Sequence, residues 1–258
     1  MSKPTRSTTL RQKDPWFPLV KEQPQAKVRL FCLPYAGAGA SVFRPWQAAL
    51  GESIEVLALQ SPGRETRLRE RPFDNMQGLV AAMHEALLPR LDERPFAIFG
   101  HSVGALEAWE LTRLLVEAGG PQPVHLFVGG ARAPLCEPPE KLLYNLSRAE
   151  LLVELGRLNG TPQAVLENDE VMDLFLPMIR ADFTITDCYR REDAQPLPVP
   201  LTLFTGHDDP EVPEHKLAAW GAFGPAGFAR HDLPGDHFFL HSEEQRLLAV
   251  ISETLAEV

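Results

Sequence analysis

Five consecutive residues, Gly100-His101-Ser102-Val103-Gly104, carry the strongest chemical signal in the chain. They follow an apolar run, FAIF at 96–99, and open a helical pattern at 105–117. A G-x-S-x-G pentad between strand and helix turns the backbone sharply and lifts the serine hydroxyl above the sheet edge, over the positive end of the helix. The pentad alone is common and its bland reading is a tight turn; the strand before and the helix after make Ser102 a candidate nucleophile. A serine hydroxyl needs a base at neutral pH. Of the eight histidines, His237 sits in a turn, residues 234–239, between the last strand and the last helix. It completes the chain order serine, acid, histidine. His241 is its main rival, but it directly precedes the apparent cap of the final helix. His101 occupies the second position of the pentad and should point away from the Ser102 oxygen. His84 lies within a helix, His125 starts a strand, and His207, His215 and His231 lack supporting context.

The third group must be a carboxylate that holds the imidazole in one tautomer and stabilises its cation. Strand LTLFT, 201–205, ends in Gly206-His207-Asp208-Asp209-Pro210. Asp209 is preferred because the following proline biases it to an extended backbone; Asp208 is the alternative. Asp236 adjoins His237 and reads as a turn former. Two backbone amides should face the developing oxyanion: that of Val103, after the nucleophile, and that of Ala36, in the small-residue loop 34–39. That loop is a poor phosphate cradle, since neither G-K-[ST] nor a full G-x-G-x-x-G follows.

These residues need a scaffold, and the hydropathy pattern supplies one. Short apolar runs at 28–33, 54–59, 96–99, 125–128 and 201–205, with a weaker one at 228–233, read as strands buried on both faces. Helical stripes lie between them: 75–91, with Pro89 arguing for an early end or kink, 105–117, and a last helix after Ser242-Glu-Glu-Gln245, which resembles a capping box. The alternation implies an α/β fold, mostly parallel sheet with helices on both faces. From about 134 to 198 no strand pattern occurs. Helical segments at 148–158, 169–180 and 181–189 read instead as an insertion above the strand ends, of the kind that forms a lid; the bland alternative is a structural extension. Residues 1–26 are polar, with four prolines, and read as a flexible N-terminal arm that Trp16 and Phe17 could anchor; residues 27–258 read as one domain.

The 258 residues are 44% hydrophobic and carry a net charge of −10, which sets aside disorder and generic nucleic-acid or membrane-surface binding. Three cysteines without a C-x-x-C pair, no apolar run fit for a signal peptide and no membrane span point to reduced thiols and a cytoplasmic protein. No metal site is implied, for want of H-E-x-x-H or paired cysteines. Arg64, Arg67, Arg69 and Arg71, interleaved with Glu65 and Glu70, are more often a solvated face than a docking patch. Monomer is the default.

Several segments together resemble the type II thioesterases, stand-alone α/β-hydrolases of nonribosomal peptide and polyketide synthases. They are LFCLPYAGAGAS (30–41), LQSPGRETRLRE (59–70), FGHSVGA (99–105), LPMIRADFTITDCY (176–189), TGHDDP (205–210) and GDHFFL (235–240). The P-G-R and R-A-D segments are more specific than the serine pentad. The resemblance implies an α/β-hydrolase fold with a helical lid, and hydrolysis of acyl thioesters on the phosphopantetheine arm of carrier domains, clearing aberrant or stalled acyl groups. It implies Ser102, Asp209 and His237 as the triad, Ala36 and Val103 as the oxyanion donors, acyl or peptidyl carrier domains as partners, and no cofactor beyond the phosphopantetheine on the partner. Ala38 departs from the family's frequent run of glycines, and residues 1–26 lie outside the resemblance. A small-molecule carboxylesterase or lipase, an acyltransferase and a non-catalytic carrier-binding protein are the competing readings.

Overall fold

Six strands form one sheet in a computed structural model that describes residues 14–258. They are β1 (Val28–Leu33), β2 (Ile54–Ala58), β3 (Phe96–His101), β4 (His125–Gly129), β5 (Leu201–Gly206) and β6 (Phe228–Leu233). Every pairing is parallel, in the order β2-β1-β3-β4-β5-β6. A parallel sheet must be covered on both faces, and the strand alternation shows how. Phe31, Leu33, Ile98, Val128 and Leu203 point to one side and pack with Leu79, Met83, Leu106 and Trp109. Leu30, Cys32, Phe99, Phe127 and Phe204 point to the other and meet Trp46, Leu247 and Ile251.

The helices α1 (Trp46–Leu50), α2 (Met76–Leu87) and α3 (Val103–Glu117) belong to these layers. So do α7 (Glu214–Ala218), α8 (Phe239–Ser242) and α9 (Glu244–Ala256). Asn75 caps α2 through its side chain, and Pro89 falls in a 3-10 turn, Leu88–Arg90, so the helix ends early as its proline predicts. The capping box expected at Ser242 is absent. Ser242 ends α8, and Glu243 precedes α9 with no side-chain cap bond. The chain is already helical before this point, since α8 begins at Phe239, just after a turn in which Asp236 accepts the Phe238 amide at 2.9 Å.

Residues 134–198 contain no strand. They carry α4 (Arg148–Leu158), α5 (Gln163–Leu166) and α6 (Asp169–Cys188) around a core of their own, with Leu151, Leu155, Met172, Leu176 and Phe183. Ser147 and Glu150 form a reciprocal capping box on α4. The two helices expected at 169–180 and 181–189 are one. Met172, Leu176, Ile179 and Phe183 keep a single stripe across that boundary, and Pro177 is tolerated inside the helix. Arg132 ties the end of α6 to the sheet side, donating from Nη2 to the carbonyls of Thr186 at 3.0 Å and Tyr189 at 2.5 Å. Such a cation complements the negative end of a helix.

Of the expected N-terminal arm, residues 1–13 lie outside the described residues. Residues 14–26 pack on the domain and do not form a free arm. Phe17 is 2% exposed and meets Phe31 edge-on at 5.8 Å. The Arg67 guanidinium covers the Trp16 ring at 4.4 Å, and Asp14 pairs with Arg90 at 2.7 Å. Burial of one phenylalanine alone contributes roughly 2 kcal/mol, which explains why a polar, proline-rich segment still docks.

Candidate active site

The end of β3 and the start of α3 build the turn that carries Ser102. Ser102 has φ +57° and ψ −122°, a strained conformation for a residue with a side chain, and its amide donates to the Gly129 carbonyl at 2.8 Å. The flanking glycines are required by space. A Cβ on Gly100 would lie 2.0 Å from the Gly104 carbonyl oxygen, and one on Gly104 would lie 2.4 Å from that of Leu33. The strand, the turn and the loop after β1 therefore touch backbone to backbone. Val103 is the first residue of α3, so its amide has no acceptor within the helix.

Two further loops deliver the other groups. After β5, Asp209 Oδ1 accepts the Glu211 amide at 2.8 Å, and Oδ2 faces His237 Nδ1 at 2.8 Å. The acid loop is stitched to the histidine loop by His207 N–H to Leu233 O at 2.7 Å and Asp208 N–H to Gly235 O at 2.9 Å. Gly206 permits this, since its Cβ would stand 2.4 Å from the Asp236 carbonyl oxygen. His237 Nε2 lies 3.0 Å from Ser102 Oγ. A carboxylate only accepts, so His237 Nδ1 bears the proton, and Nε2 is the bare nitrogen that accepts from the serine hydroxyl. The Asp209 side chain is 2% exposed and that of His237 11%, so the pair is largely withdrawn from water.

The structure thus brings Ser102, His237 and Asp209 together and leaves their rivals apart. Asp208 is exposed. His241 Nε2 bonds the Tyr35 hydroxyl at 3.0 Å, and His125 Nε2 bonds Thr202 Oγ1 at 2.8 Å. Ala36, Ser102 and His237 line one cavity of about 650 Å³. Leu106, Leu143, Leu155 and Phe183 give it an apolar lining, and Arg157 and Glu211 are among its charged residues. The insertion reaches across to both reactive loops: Arg157 of α4 pairs with Glu211 at 2.7 Å, and a Cβ on Gly160 would come within 2.2 Å of the Phe238 ring.

The arginine cluster is not the solvated face expected of it. Arg69 and Arg71 are exposed, but Arg64 and Arg67 are 7% and 9% exposed. Arg64 forms a two-pronged pair with Asp182 of α6, at 2.8 and 3.0 Å, and its Nη1 also donates to the Ala38 carbonyl at 2.9 Å. Asp182 Oδ2 accepts the Gly37 amide at 2.8 Å. The P-G-R and R-A-D segments therefore meet, and they hold the loop that bears Ala36. Gly37, at φ +79°, takes a conformation that suits glycine. The buried Glu107 of α3 lies near the same pair. Burial, then the charge of Asp182, pushes its carboxyl up to about 8, with Arg64 opposing. Residue types and spacing alone pointed to neither Asp182 nor Glu107 as part of the site's support; the family segments were the available signal for Asp182.

Comparison with known proteins agrees with this geometry. A family model described as a thioesterase domain matches residues 28–256. The chain belongs to the thioesterase family. It is 42% identical over 243 residues to a Brevibacillus parabrevis protein named linear gramicidin dehydrogenase LgrE, covering 93% of this chain and 92% of that one. It is 38% identical to the gramicidin S biosynthesis protein GrsT of Aneurinibacillus migulanus, covering 96% of each. Among solved structures it superposes on RedJ, a thioesterase of the prodiginine pathway in Streptomyces coelicolor, with a TM-score of 0.83, at 39% identity and covering 90% and 87% of the two chains. Despite the name of the first relative, this chain has no dinucleotide fingerprint after β1. It is a thioester hydrolase of the α/β-hydrolase fold, related to the type II thioesterases of peptide and polyketide synthases. No helix among the described residues is long and apolar enough to cross a membrane.

Proposed function

We propose that this thioesterase removes aberrant or stalled acyl groups from the phosphopantetheine arm of acyl or peptidyl carrier domains, which are its partners, and so frees a blocked synthase. The single observation that carries the chemistry is the hydrogen-bonded line from Asp209 through His237 to Ser102, opening on a partly apolar cavity. In the first half, Ser102 Oγ attacks the thioester carbonyl carbon while its proton passes to His237 Nε2. Asp209 stabilises the imidazolium so formed. The amides of Ala36 and Val103 stabilise the oxyanion, each worth about 10²–10³ in kcat. The carbon–sulfur bond then breaks. A thiol of pKa about 8.5 leaves readily, and His237 returns the proton to sulfur.

In the second half, water gives a proton to His237 as it attacks the acyl-serine. The carbon–oxygen bond to Ser102 breaks, the free acid leaves, and the serine regains its proton. Nucleophile, base and water complete the cycle, so no metal or cofactor is required. The synthase setting rests on the relatives, several of which are named for gramicidin S, prodiginine or yersiniabactin biosynthesis. The test compares hydrolysis of acyl-phosphopantetheinyl carrier with that of p-nitrophenyl esters. The proposal expects a strong preference for the carrier; a strong preference for the free ester would move the enzyme to the small-molecule esterases.

A further inference from the structure

His101 is fully buried beside the reacting groups, yet it takes no part in the steps above. Its Nε2 lies 2.8 Å from the backbone carbonyl oxygen of His237. A carbonyl only accepts, so Nε2 carries the proton and Nδ1 is bare. Among the described residues Nδ1 is buried without a hydrogen-bond partner, so the bond to His237 is the one polar restraint they give the ring. Burial keeps the imidazole well below its ordinary titration range and therefore neutral.

The surroundings are shaped to this ring. A Cβ on Gly130 would stand 2.8 Å from His101 Cε1 and 3.3 Å from His237 Cε1; one on Gly129 would stand 3.0 Å from His101 Nδ1. Two glycines at the end of β4 thus leave a slot for it. Phe239 meets the ring edge-on at 5.0 Å and Tyr35 at 6.0 Å. The tether joins the end of β3, one residue before the nucleophile, to the loop after β6 that carries the base.

We propose that His101 is a positioning residue: its Nε2–H holds the His237 backbone and so sets the imidazole over Ser102. The inference rests on the reading of Ser102, His237 and Asp209 as the reacting groups. The two restraints on His237 are complementary. Asp209 orients the ring, while His101 fixes the backbone from which the ring extends. A neutral donor suits the place, because the His237 ring, 5.3 Å away, must become a cation during each half-reaction.

The test compares His101→Met, similar in length but without a donor, with His101→Gln, which restores an N–H at similar reach. Two rates are read: turnover of an acyl carrier, split into kcat and KM, and covalent labelling of Ser102 by a fluorophosphonate. His101→Met should lower kcat and labelling roughly 10- to 100-fold, the scale of a displacement near 1 Å, with KM held within about twofold. His101→Gln should recover most of the loss. A folded His101→Met enzyme within about twofold of wild type in both rates overturns the proposal, as does a folded Gln variant no better than Met. Should the Met variant fail to fold, nitrogen-15 histidine NMR of the wild-type enzyme decides: the proposal requires a neutral, Nε2-protonated His101, and an Nδ1-protonated ring overturns it. A wild-type enzyme that neither hydrolyses thioesters nor labels at Ser102 would refute the reading of the site instead, and the NMR tautomer would still judge the tether.

Discussion

Cutting the Arg64–Asp182 pair should cost far more stability than its surface neighbours do. Both partners are buried, with side chains 8% and 3% exposed, and they meet through two hydrogen bonds. Asp182→Leu removes both, orphans the Gly37 amide, and leaves a buried guanidinium bonded to backbone carbonyls. Breaking a buried pair from one side costs about 3–5 kcal/mol, chiefly because the remaining charge stays desolvated. At about 2–4 °C per kcal/mol for a chain of this size, the midpoint should fall roughly 6–20 °C. Arg64→Met should cost a similar amount. The double variant Arg64→Met/Asp182→Leu should be much less damaged than the sum, because it leaves no charge behind; the Gly37 amide still loses its acceptor, so recovery should be incomplete. Urea unfolding of the four proteins at one pH measures this cycle. Single-variant losses below about 1 kcal/mol, or strict additivity, would refute the claim that a buried charge pair holds this loop.

Two further outcomes follow from the same neighbourhood and from the insertion. Glu107 binds a proton in the fold up to about pH 8, whereas the unfolded group releases it near 4.5. Between those values the folded state holds more protons, so stability falls as pH rises, by up to about 1.4 kcal/mol per pH unit, and the contribution is fully present only below the lower value. Glu107→Gln should abolish that part of the slope, matching wild type near pH 4.5 and exceeding it at pH 8; identical slopes in urea titrations would refute it. Gly160→Ala should push the insertion off the Phe238 ring, raising KM for the carrier, while adding Phe238→Ala should return the space; an unchanged KM in the single variant would show that the contact does not shape the site.

Much of this was readable in advance where the physics is local. Strands buried on both faces announce themselves as short apolar runs, and Phe31, Ile98 and Leu203 fall on one face as period-2 alternation requires. Ser102 was legible because a strand, two glycines and a helix surround it; His237 and Asp209 followed from chain order and turn chemistry. The structure supplies the reason for the glycines, which is backbone contact in the space a Cβ would fill. What depends on distant partners was not legible. The residues around Arg64 look like a mixed-charge surface because its counter-ion lies 118 positions away. The continuity of α6 through Pro177 is decided by a stripe packed on α4, and docking of Trp16 and Phe17 by Arg67 and Phe31. The pentad position turns His101 away from the serine oxygen, but its bond to the His237 carbonyl spans 136 residues, and no spacing rule reaches that far.

The most direct test of the mechanism is intact-protein and peptide mass spectrometry of the enzyme during turnover of an acyl-phosphopantetheinyl carrier. The account predicts loss of the acyl mass from the carrier, transient gain of that same mass on Ser102, and neither event in a Ser102→Ala variant with a native circular dichroism spectrum. Acyl loss that persists in Ser102→Ala, or an adduct on another residue, would contradict it.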